Sequence, residues 1–519
     1  MSPPIDLKTQ KYDRQLRLWA TTGQQALEEA HVCLLNITST GCEIIKNLIL
    51  PGVGSITVID DSKVTGQDIQ NNFFLDPESI GCSKAKSAAE LLQELNEDAK
   101  VTFIEKDPLD LIQNDPKVFE PFTMIITVNM PEEAVLTLAS LCQNKAMIVV
   151  KSNGFIGAFS IQAPEHTIIE SHPENAMDLR LSCPFRELCE YASSFDLDTL
   201  DQTDHSHVPF VVIILKYVEA YKAKHGQAPR SYEERKELVD MIKSGMRTAD
   251  EENFQEALSH VWRLSSTDHI PSEVRQTFND PSCVNADANS PYFWILAKAV
   301  RDFVENEGEG QLPLSGKLPD MKADTVKYIG LQHVYRQKAL SDLNAVKKRV
   351  NDILDGDETV ISDEVIETFC KNAGHIKVIQ YRLISSHYKQ ADKIVQWMKN
   401  EENIHYCIVF KAADRFQKIY HRYPNSVEDY DALKEQTAVF LESIDIPFEQ
   451  VQELMESEVM DKTLQNFVRF ENKEAANIAA LLGGVVAQEA IKLITHQYIP
   501  INNTCIFNGI TSTSNVFEL

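Results

Sequence analysis

The first ~150 residues alternate short apolar runs with segments whose apolar residues recur at helical spacing. His31–Asn36 and Ser55–Ile59 are apolar or β-branched runs of strand length, and Gly41–Leu50 between them places its apolar residues on one helical face. Further runs typical of buried strands occur at 101–104, 124–128 and 147–150. Because buried strands alternate with helices, the pattern predicts an α/β domain with a doubly wound parallel sheet.

Beyond Glu170 the pattern changes to long helical segments separated by polar loops. The helices predicted in this block span 208–224, 232–244, 250–264, 292–304, 325–351, 363–371, 387–401 and 410–420. Strand-like runs return at Ile499–Phe507 and Ser514–Phe517, after a helix of small and apolar residues at Ala475–Thr495. The sequence therefore predicts a discontinuous sheet domain, residues 1–169 and 466–519, with a mainly helical domain of residues 170–465 inserted into it.

The turn between the first strand and the first helix occupies the place of the Gly-x-Gly-x-x-Gly phosphate loop of dinucleotide-binding folds. Its three glycine positions read Asn36, Thr38 and Gly41, so only the glycine used for helix–strand packing remains. The other two carry side chains in the space through which a pyrophosphate approaches the backbone. Asp60, after the second strand, lies where a ribose-binding acid is expected. Two interpretations stay open: a lost nucleotide site, or an ordinary α/β domain that never had one.

Composition narrows the classes of partner. The chain has 50 Lys and Arg against 77 Asp and Glu, a net charge of -27. Nucleic acid and anionic membranes both require a cationic face, so neither is expected as the main partner. Residues 1–10 are polar and lack the apolar core of a signal peptide, and no apolar run reaches the ~18 residues of a membrane helix.

The 10 cysteines are scattered and include no Cys-x-x-Cys pair. Zinc-binding and redox motifs need such close pairs, so we expect no metal site and no redox site. Several cysteines fall inside predicted core segments, as buried reduced thiols do. Reduced thiols predict a cytoplasmic and nuclear location.

Residues 11–19 read KYDRQLRLW and predict a short amphipathic helix with Leu16, Leu18 and Trp19 on its apolar side and Arg14 and Arg17 free. Apart from the two arginines of this helix, none occurs before Arg180. Sites that neutralise a triphosphate normally use arginine, because its planar fork grips phosphate. Taken alone, the segment is most simply an amphipathic helix at the edge of the fold.

Gly483 and Gly484 lie inside the predicted helix 475–495. A glycine in a helix interior costs roughly 1 kcal/mol relative to alanine. Such a cost is usually offset where another backbone packs very closely against the helix. The close contact is either a helix crossing in the core of the sheet domain or a contact with a second subunit.

Several of these segments together resemble the adenylation domains of the enzymes that activate ubiquitin-like modifiers, a Rossmann-like fold shared with bacterial sulfur-carrier adenylating enzymes. The matching motifs are KYDRQLRLW at 11–19, TGCEIIKNLILPGVG at 40–54, NNFFL at 71–75 and GGVVAQEAIKLIT at 483–495. Each motif alone is weak, whereas their order along the chain is specific. The chain length and the segments LPDMKADT and YIGLQHVYRQKA resemble the regulatory subunits of the heterodimeric members that act in neddylation.

The resemblance implies a degenerate nucleotide site. Active halves carry three glycines, an arginine where Asn71 stands, and a metal-binding segment with a further arginine, which is missing near Thr127–Leu138. Each lost charge-assisted hydrogen bond removes on the order of 1.5–3 kcal/mol. We therefore expect this chain to bind no cofactor and no metal. The degenerate site would comprise Asn36, Thr38, Gly41, Asp60, Asn71 and Lys84, of which Asp60 and Lys84 match the active pattern.

The resemblance also implies a heterodimer whose partner, the catalytic subunit, binds ATP and Mg²⁺ and activates the ubiquitin-like modifier. Arg14 would contact the partner's ATP phosphates in trans, as arginine fingers do, whereas Arg17 would be structural. The residues expected at the subunit interface are Tyr12, Leu16, Trp19, Gly483 and Gly484.

The family's second chemical centre is a cysteine that carries the modifier as a thioester. The candidates in the helical block are Cys183, Cys189, Cys283, Cys370 and Cys407, and none lies in a segment that resembles the family's catalytic motif. We therefore expect no catalytic residue in this chain and a catalytic-cysteine domain without its cysteine. Two alternatives remain: an autonomous nucleotide-dependent enzyme with a divergent phosphate loop, and an adaptor without any part in the chemistry.

Overall fold

The computed structural model describes residues 10–173, 177–264, 270–355 and 361–519. The chain forms two compact units. The first comprises everything up to His166 together with Val378–Leu519, and the second comprises Thr167–Lys377. The first unit is thus discontinuous in sequence.

An eight-stranded mixed sheet forms the centre of the first unit. The strands of the chain are β1 (His31–Leu35), β2 (Ser55–Ile59), β3 (Lys100–Ile104), β4 (Met124–Val128), β5 (Ala146–Asn153), β6 (Ile156–Gln162), β7 (His166–Ile168), β8 (Lys377–Ile379), β9 (Thr504–Asn508) and β10 (Thr513–Phe517). The sheet order is β10-β9-β6-β5-β4-β1-β2-β3. Strands β1 to β5 pair in parallel, whereas β6, β9 and β10 extend the sheet in antiparallel fashion. The predicted α/β fold is confirmed. The predicted parallel sheet corresponds to strands β1 to β5.

The central strands are buried on both faces, which explains their continuous apolar runs. In β1, Val32 and Leu34 belong to the core on one face of the sheet, and Cys33 and Leu35 belong to the core on the other. The sheet is therefore covered by helices on both sides, as a doubly wound fold requires.

Helices of the first unit surround this sheet. The α-helices are Asp13–Glu29, Ser39–Ile49, Asp68–Asn71, Lys84–Gln93, Pro108–Asn114, Glu132–Leu141, Ala391–Asn400, Ile404–Tyr420, Tyr430–Ser443, Phe448–Met455, Glu458–Arg469 and Ala476–Thr495. Short 3₁₀ turns span Pro77–Ser79, Pro116–Phe119, Ile384–Ser386 and Val427–Asp429.

The inserted domain was predicted to end at residue 465. In the structure the second unit ends at Lys377, and the chain rejoins the first unit at Val378. Helices between Ala391 and Arg469 share a core with the antiparallel strands: Ile156 of β6 and Ile506 of β9 lie in one cluster with the apolar faces of these helices. An amphipathic helix has the same sequence pattern whether it packs on a sheet or on other helices, so the pattern placed these helices in the inserted domain.

The second unit is mainly helical. Its α-helices are Arg186–Ser193, Gln202–His205, Phe210–His225, Tyr232–Ser244, Glu252–His260, Ser272–Asn279, Pro281–Val284, Tyr292–Glu305, Thr325–Ile353 and Asp363–Asn372, with a 3₁₀ turn at Val261–Arg263. Ile213, Phe254 and Tyr335 are fully buried in its largest core. A capping box starts the predicted helix at 232, because Ser231 Oγ accepts from the Glu234 N–H and the Glu234 carboxylate accepts from the Ser231 N–H.

Within the described part of the chain, one helix, Ala476–Thr495, has the length and apolar composition to cross a membrane. In the structure this helix packs in the core of the first unit. Ile478, Leu482 and Val486 are each at most 4% exposed. Its apolar character is therefore explained by burial against the sheet and the neighbouring helix.

Candidate functional site

The turn after β1 has a left-handed residue, Asn36, where the phosphate-loop motif has its first glycine. Asn36 adopts a φ of 68°, in the left-handed region that glycine favours and asparagine tolerates. The Asn36 side-chain amide donates to the carbonyl oxygen of Val128, at the end of β4, at 2.7 Å. The tight turn therefore persists, and the side chain closes it against the neighbouring strand.

The next two positions of the motif organise the start of the Ser39–Ile49 helix. Thr38 is its N-cap, and its hydroxyl accepts from the Gly41 N–H at 3.2 Å. A Cβ atom on Gly41 would lie 3.0 Å from Leu34 Cδ2 and 3.4 Å from the carbonyl oxygen of Asn36. Gly41 thus serves helix–strand packing, as its position in the motif predicts.

A carboxylate of the same chain occupies the N-terminus of this helix. Glu474 Oε2 accepts from the Thr40 backbone N–H at 3.1 Å, and Glu474 Oε1 accepts from the Thr38 hydroxyl at 3.0 Å. The side-chain amide of Asn129, just after β4, lies 3.4 Å from the same Oε1. Free N–H groups and the helix dipole make a helix N-terminus an anion site, and in nucleotide-binding folds that anion is a phosphate.

Asn71 also contacts Glu474. By the resemblance described above, this is the position at which active adenylation domains have an arginine. The Asn71 side-chain amide donates to the backbone carbonyl of Glu474 at 2.9 Å. Burial raises the pKa of the Glu474 carboxyl, while hydrogen bonds from Thr40 and Thr38 act in the opposite direction. The structure thus brings Thr38 and Asn71 of the predicted degenerate site together around one residue, Glu474: Thr38 bonds its carboxylate and Asn71 its backbone carbonyl.

The two residues that match the active pattern are used inside the chain. Asp60 is 3% exposed, and its carboxylate accepts from the Ile37 N–H at 2.8 Å and from the Ser62 N–H at 2.8 Å. The Lys84 ammonium lies 2.9 Å from Asp68 Oδ1. Although burial raises the pKa of Asp68, hydrogen bonds from Lys84 and Thr65 hold it below its usual value. Both side chains therefore stabilise loops around the pocket.

The amino-terminal helix presents one unpaired arginine. Arg14 is exposed and its guanidinium pairs with none of the residues in the described ranges. Arg17 lies 2.8 Å from Asp13 within the same helix. The helix has non-helical dihedral angles at Trp19 and at Ala20, whose φ is 56°. The part that carries Arg14 is therefore a short segment before a break.

The predicted interface residues divide into two groups. Tyr12 is 2% exposed, and its hydroxyl donates to Asp98 at 3.0 Å and accepts from Asn96 at 2.9 Å, so its side chain packs within this chain. Leu16 and Trp19 are half-buried, and the Trp19 indole N–H donates to Gln24 at 3.1 Å.

The two glycines of the Ala476–Thr495 helix also differ. A Cβ on Gly483 would lie 2.5 Å from Glu43 Cβ on the Ser39–Ile49 helix, whereas a Cβ on Gly484 would meet nothing within 4 Å. Gly483 thus corresponds to a helix crossing in the core rather than to a free surface for another subunit. None of the described residues lies close enough to position 484 to require a glycine there.

Four of the five candidate thioester cysteines have a thiol pKa shifted away from that of a nucleophile. Cys283, Cys370 and Cys407 are buried, and burial raises the pKa of each thiol to about 12. Cys189 is exposed, yet partial burial of its sulfur still raises its pKa. A nucleophilic cysteine needs the opposite shift together with access to solvent. Cys183 is exposed, like Cys189, and is accessible to solvent.

Sequence reasoning missed Glu474 and Asn129. Glu474 lies 434 residues from Thr40, so no local spacing relates the two. The sequence does show that an acidic residue directly precedes the predicted helix at 475. That helix leads back to the closing strands of the sheet. Such a signal places Glu474 near the sheet but does not identify its partner.

This fold and this pocket define an adenylation-type α/β protein. The ThiF family model matches residues 12–519, and the chain belongs to the ThiF family. It is 42% identical to the NEDD8-activating enzyme E1 regulatory subunit of Xenopus laevis over 542 aligned residues, which cover 100% of both chains. The identity is 42% to the Gallus gallus regulatory subunit, over 99% of this chain and 98% of the relative, and 38% to the AXR1 regulatory subunit of Arabidopsis thaliana, over 99% and 97%. The predicted resemblance to the regulatory subunits of the neddylation branch is confirmed.

Proposed function

We propose that this chain is the non-catalytic regulatory subunit of a heterodimeric enzyme that activates a ubiquitin-like modifier in neddylation. The observation that carries the proposal is the pocket after β1, where the Glu474 carboxylate accepts from the Thr38 hydroxyl and the Thr40 N–H at the helix N-terminus. Full-length similarity to NEDD8-activating E1 regulatory subunits supports the same assignment.

The residues of the pocket do not fit a triphosphate. The helix N-terminus already holds a carboxylate, and a second anion beside it would be repelled. Asn36 and Asn71 supply neutral amides that are bonded to backbone carbonyls. We therefore assign ATP and Mg²⁺ to the catalytic partner and derive no adenylation step in this chain.

The second unit supports the non-catalytic assignment independently. Two of its thiols, Cys283 and Cys370, have a pKa raised to about 12 by burial, as has Cys407 of the first unit. A thiol of that pKa is almost entirely protonated at pH 7, and the thiolate is the nucleophile. The modifier's thioester is accordingly assigned to the partner. All 10 cysteines are free thiols, which favours a cytoplasmic and nuclear location.

The contribution of this chain to chemistry is assigned to Arg14. Its guanidinium is exposed and unpaired among the described residues, so no internal ion pair has to break before it contacts an anion. An arginine supplied in trans stabilises charge on a transferring phosphoryl group or on an adenylate-forming centre. The half-buried side chains of Leu16 and Trp19 and the open face at Gly484 would contact the partner.

The test uses the reconstituted heterodimer and compares Arg14→Ala with Arg17→Ala. Both substitutions remove one arginine from the same helix, but Arg17 is already paired with Asp13 at 2.8 Å. We expect Arg14→Ala to slow modifier-dependent ATP–pyrophosphate exchange by roughly tenfold or more, with unchanged co-elution of the subunits. Arg17→Ala should leave the exchange rate nearly unchanged. Equal rates for the two variants would refute the role of Arg14.

The two alternatives give different results. An autonomous nucleotide-dependent enzyme would show stoichiometric ATP binding by the isolated chain in equilibrium dialysis. An adaptor without a part in the chemistry would leave the exchange rate of the catalytic subunit the same whether or not this chain is added. Either result would replace the proposed function.

A further inference from the structure

We propose that Glu474 is a built-in ligand of the Ser39–Ile49 helix N-terminus, and that its carboxylate excludes phosphate from a pocket which otherwise still binds phosphate. This inference rests on the proposed function, because it gives the physical cause of the missing nucleotide site. It differs from the explanation based on lost glycines, in which the pocket could not hold an anion at all.

Donors from three parts of the chain converge on the carboxylate. The Thr40 N–H and the Thr38 hydroxyl come from the first turn of the helix, at 3.1 and 3.0 Å, and the Asn129 amide comes from the loop after β4, at 3.4 Å. These are neutral donors arranged around one anion at the positive end of a helix dipole. A phosphate presents the same kind of acceptor oxygens, so this donor set does not distinguish the two anions.

One further donor lies beside the carboxylate and is only partly engaged. Thr40 is 0% exposed; its hydroxyl helps to hold the pKa of Glu474 down, yet it makes no well-formed hydrogen bond with any residue that the structure describes. Buried hydroxyl groups are normally hydrogen-bonded. A carboxylate has two oxygens, whereas a phosphate has more acceptor oxygens and could also accept from this group. The pocket therefore offers a donor that its present occupant engages only in part.

The backbone holds Glu474 in place independently of the carboxylate. Residue 474 forms a parallel bridge with Gly154, whose N–H donates to the Lys473 carbonyl at 2.6 Å. Asn71 donates to the Glu474 carbonyl at 2.9 Å. Gly154 has a φ of 59°, and a Cβ there would lie 2.0 Å from Phe470 Cγ, so the segment approaches as closely as a glycine allows. Shortening the Glu474 side chain should therefore leave the segment where it is and expose the donors.

The rival interpretation is that Glu474 only joins its segment to the helix and that no external anion can replace it. The two differ in Glu474→Ala. If the carboxylate stands in for a phosphate, added inorganic phosphate should take its place and restore stability. If Glu474 is only a structural link, no added anion should restore the stability that Glu474→Ala loses.

The experiment measures the thermal midpoint of the full-length chain in inorganic phosphate and in sodium chloride of equal ionic strength. For Glu474→Ala we expect phosphate to raise the midpoint by about 2 °C or more in a saturable manner. The wild-type chain and Glu442→Ala, which removes the same charge from an exposed helix end, should respond to phosphate no more than to chloride. Glu474→Gln, which keeps the pocket filled, should not respond either.

A folded Glu474→Ala without a phosphate-specific rise overturns the proposal, as does a rise of equal size in Glu474→Gln, because the anion would then bind elsewhere. If Glu474→Ala fails to fold in chloride, recovery of folded chain in phosphate supports the proposal and failure in both buffers overturns it. These outcomes concern the isolated chain. They are distinct from the Arg14 experiment on the heterodimer, so either idea can fail while the other stands.

Discussion

A Cβ atom on Gly483 would lie 2.5 Å from Glu43 Cβ and 2.9 Å from the Glu43 carbonyl carbon. The two helices cross at this point, one carrying the anion pocket at its N-terminus and the other following directly after Glu474. The close approach therefore couples the pocket to the segment that fills it. It also explains why a glycine is retained in a helix interior where alanine would otherwise be favoured.

The first prediction compares Gly483→Ala with Gly484→Ala. At 483 the added methyl group must displace backbone, so we expect the free energy of unfolding to fall by about 1–3 kcal/mol. At 484 nothing lies within 4 Å of the new Cβ, so we expect alanine to stabilise the isolated chain by up to ~1 kcal/mol. Urea unfolding followed by circular dichroism measures both. Equal effects at the two positions would contradict the assigned crossing.

The second prediction concerns acid stability at Asp429. Two hydrogen bonds from Arg422, at 2.7 and 2.8 Å, lower the pKa of Asp429 from 3.8 to about 2, against burial and with help from the Asn425 and Ser426 N–H groups. Because the folded-state pKa is depressed, the carboxylate stabilises the fold above about pH 4, and this contribution disappears as the pH falls toward 2.

Asp429→Asn should therefore lower the free energy of unfolding by about 1–2 kcal/mol at pH 7, with a difference from wild type that shrinks between pH 4 and pH 2. Urea unfolding across this pH range gives the difference directly. Glu428→Gln, a neighbouring exposed carboxylate, is the matched control and should show no such trend. A difference that does not change with pH would mean that packing, not charge, stabilises Asp429.

The third prediction concerns thiol reactivity. Cys82, Cys183 and Cys189 are exposed and the other seven cysteines are buried. Brief iodoacetamide treatment of the native chain should therefore label these three before any other, as read by peptide mass spectrometry. Complete labelling of all 10 should require denaturation. Early modification of Cys283 or Cys370 would show that the second unit opens more readily than its burial indicates.

The residues also show how far the sequence determines this structure. The run from His31 to Ile59 predicts its strands and helix because buried strands and one-faced helices have distinct local periods. Asn36, Thr38 and Asn71 were expected around one pocket because a family motif relates them. Glu474 was not expected there, because its partner Thr40 is 434 residues away. A single acidic residue also belongs to no motif whose spacing could relate it to the pocket.

The same limit applies to contacts that depend on three-dimensional approach. The sequence identifies Gly483-Gly484 as a close contact but cannot say which glycine faces the neighbouring helix, since that depends on the rotation of the helix by one residue. Tyr12 has the pattern of an interface residue, whereas Asn96 and Asp98 use its hydroxyl inside the chain. Local pattern therefore predicts the elements, and long-range polar contacts decide the use of individual side chains.

The fourth prediction tests one such contact, the buried ion pair of Lys151 and Asp414. The ammonium lies 2.6 Å from Asp414 Oδ1 and also donates to the Met130 carbonyl and the Tyr423 hydroxyl, both at 2.8 Å. The two side chains are 12% and 2% exposed. Removing one partner leaves the other charge buried without compensation, so Lys151→Met should lower the free energy of unfolding by about 3–5 kcal/mol.

Adding Asp414→Asn to Lys151→Met removes the uncompensated charge, so the double variant should be more stable than Lys151→Met alone. Lys418→Met is the matched control, because Lys418 pairs with Glu133 at 3.5 Å on the surface, where both side chains are more than three-quarters exposed. It should cost no measurable stability, since an exposed ion pair is screened by water. Urea unfolding of wild type, Lys151→Met, Asp414→Asn and the double variant gives the coupling energy of the buried pair, and Lys418→Met is measured beside them. A double variant no more stable than Lys151→Met would show that the lysine acts through its packing and its bonds to Met130 and Tyr423, and not through its charge.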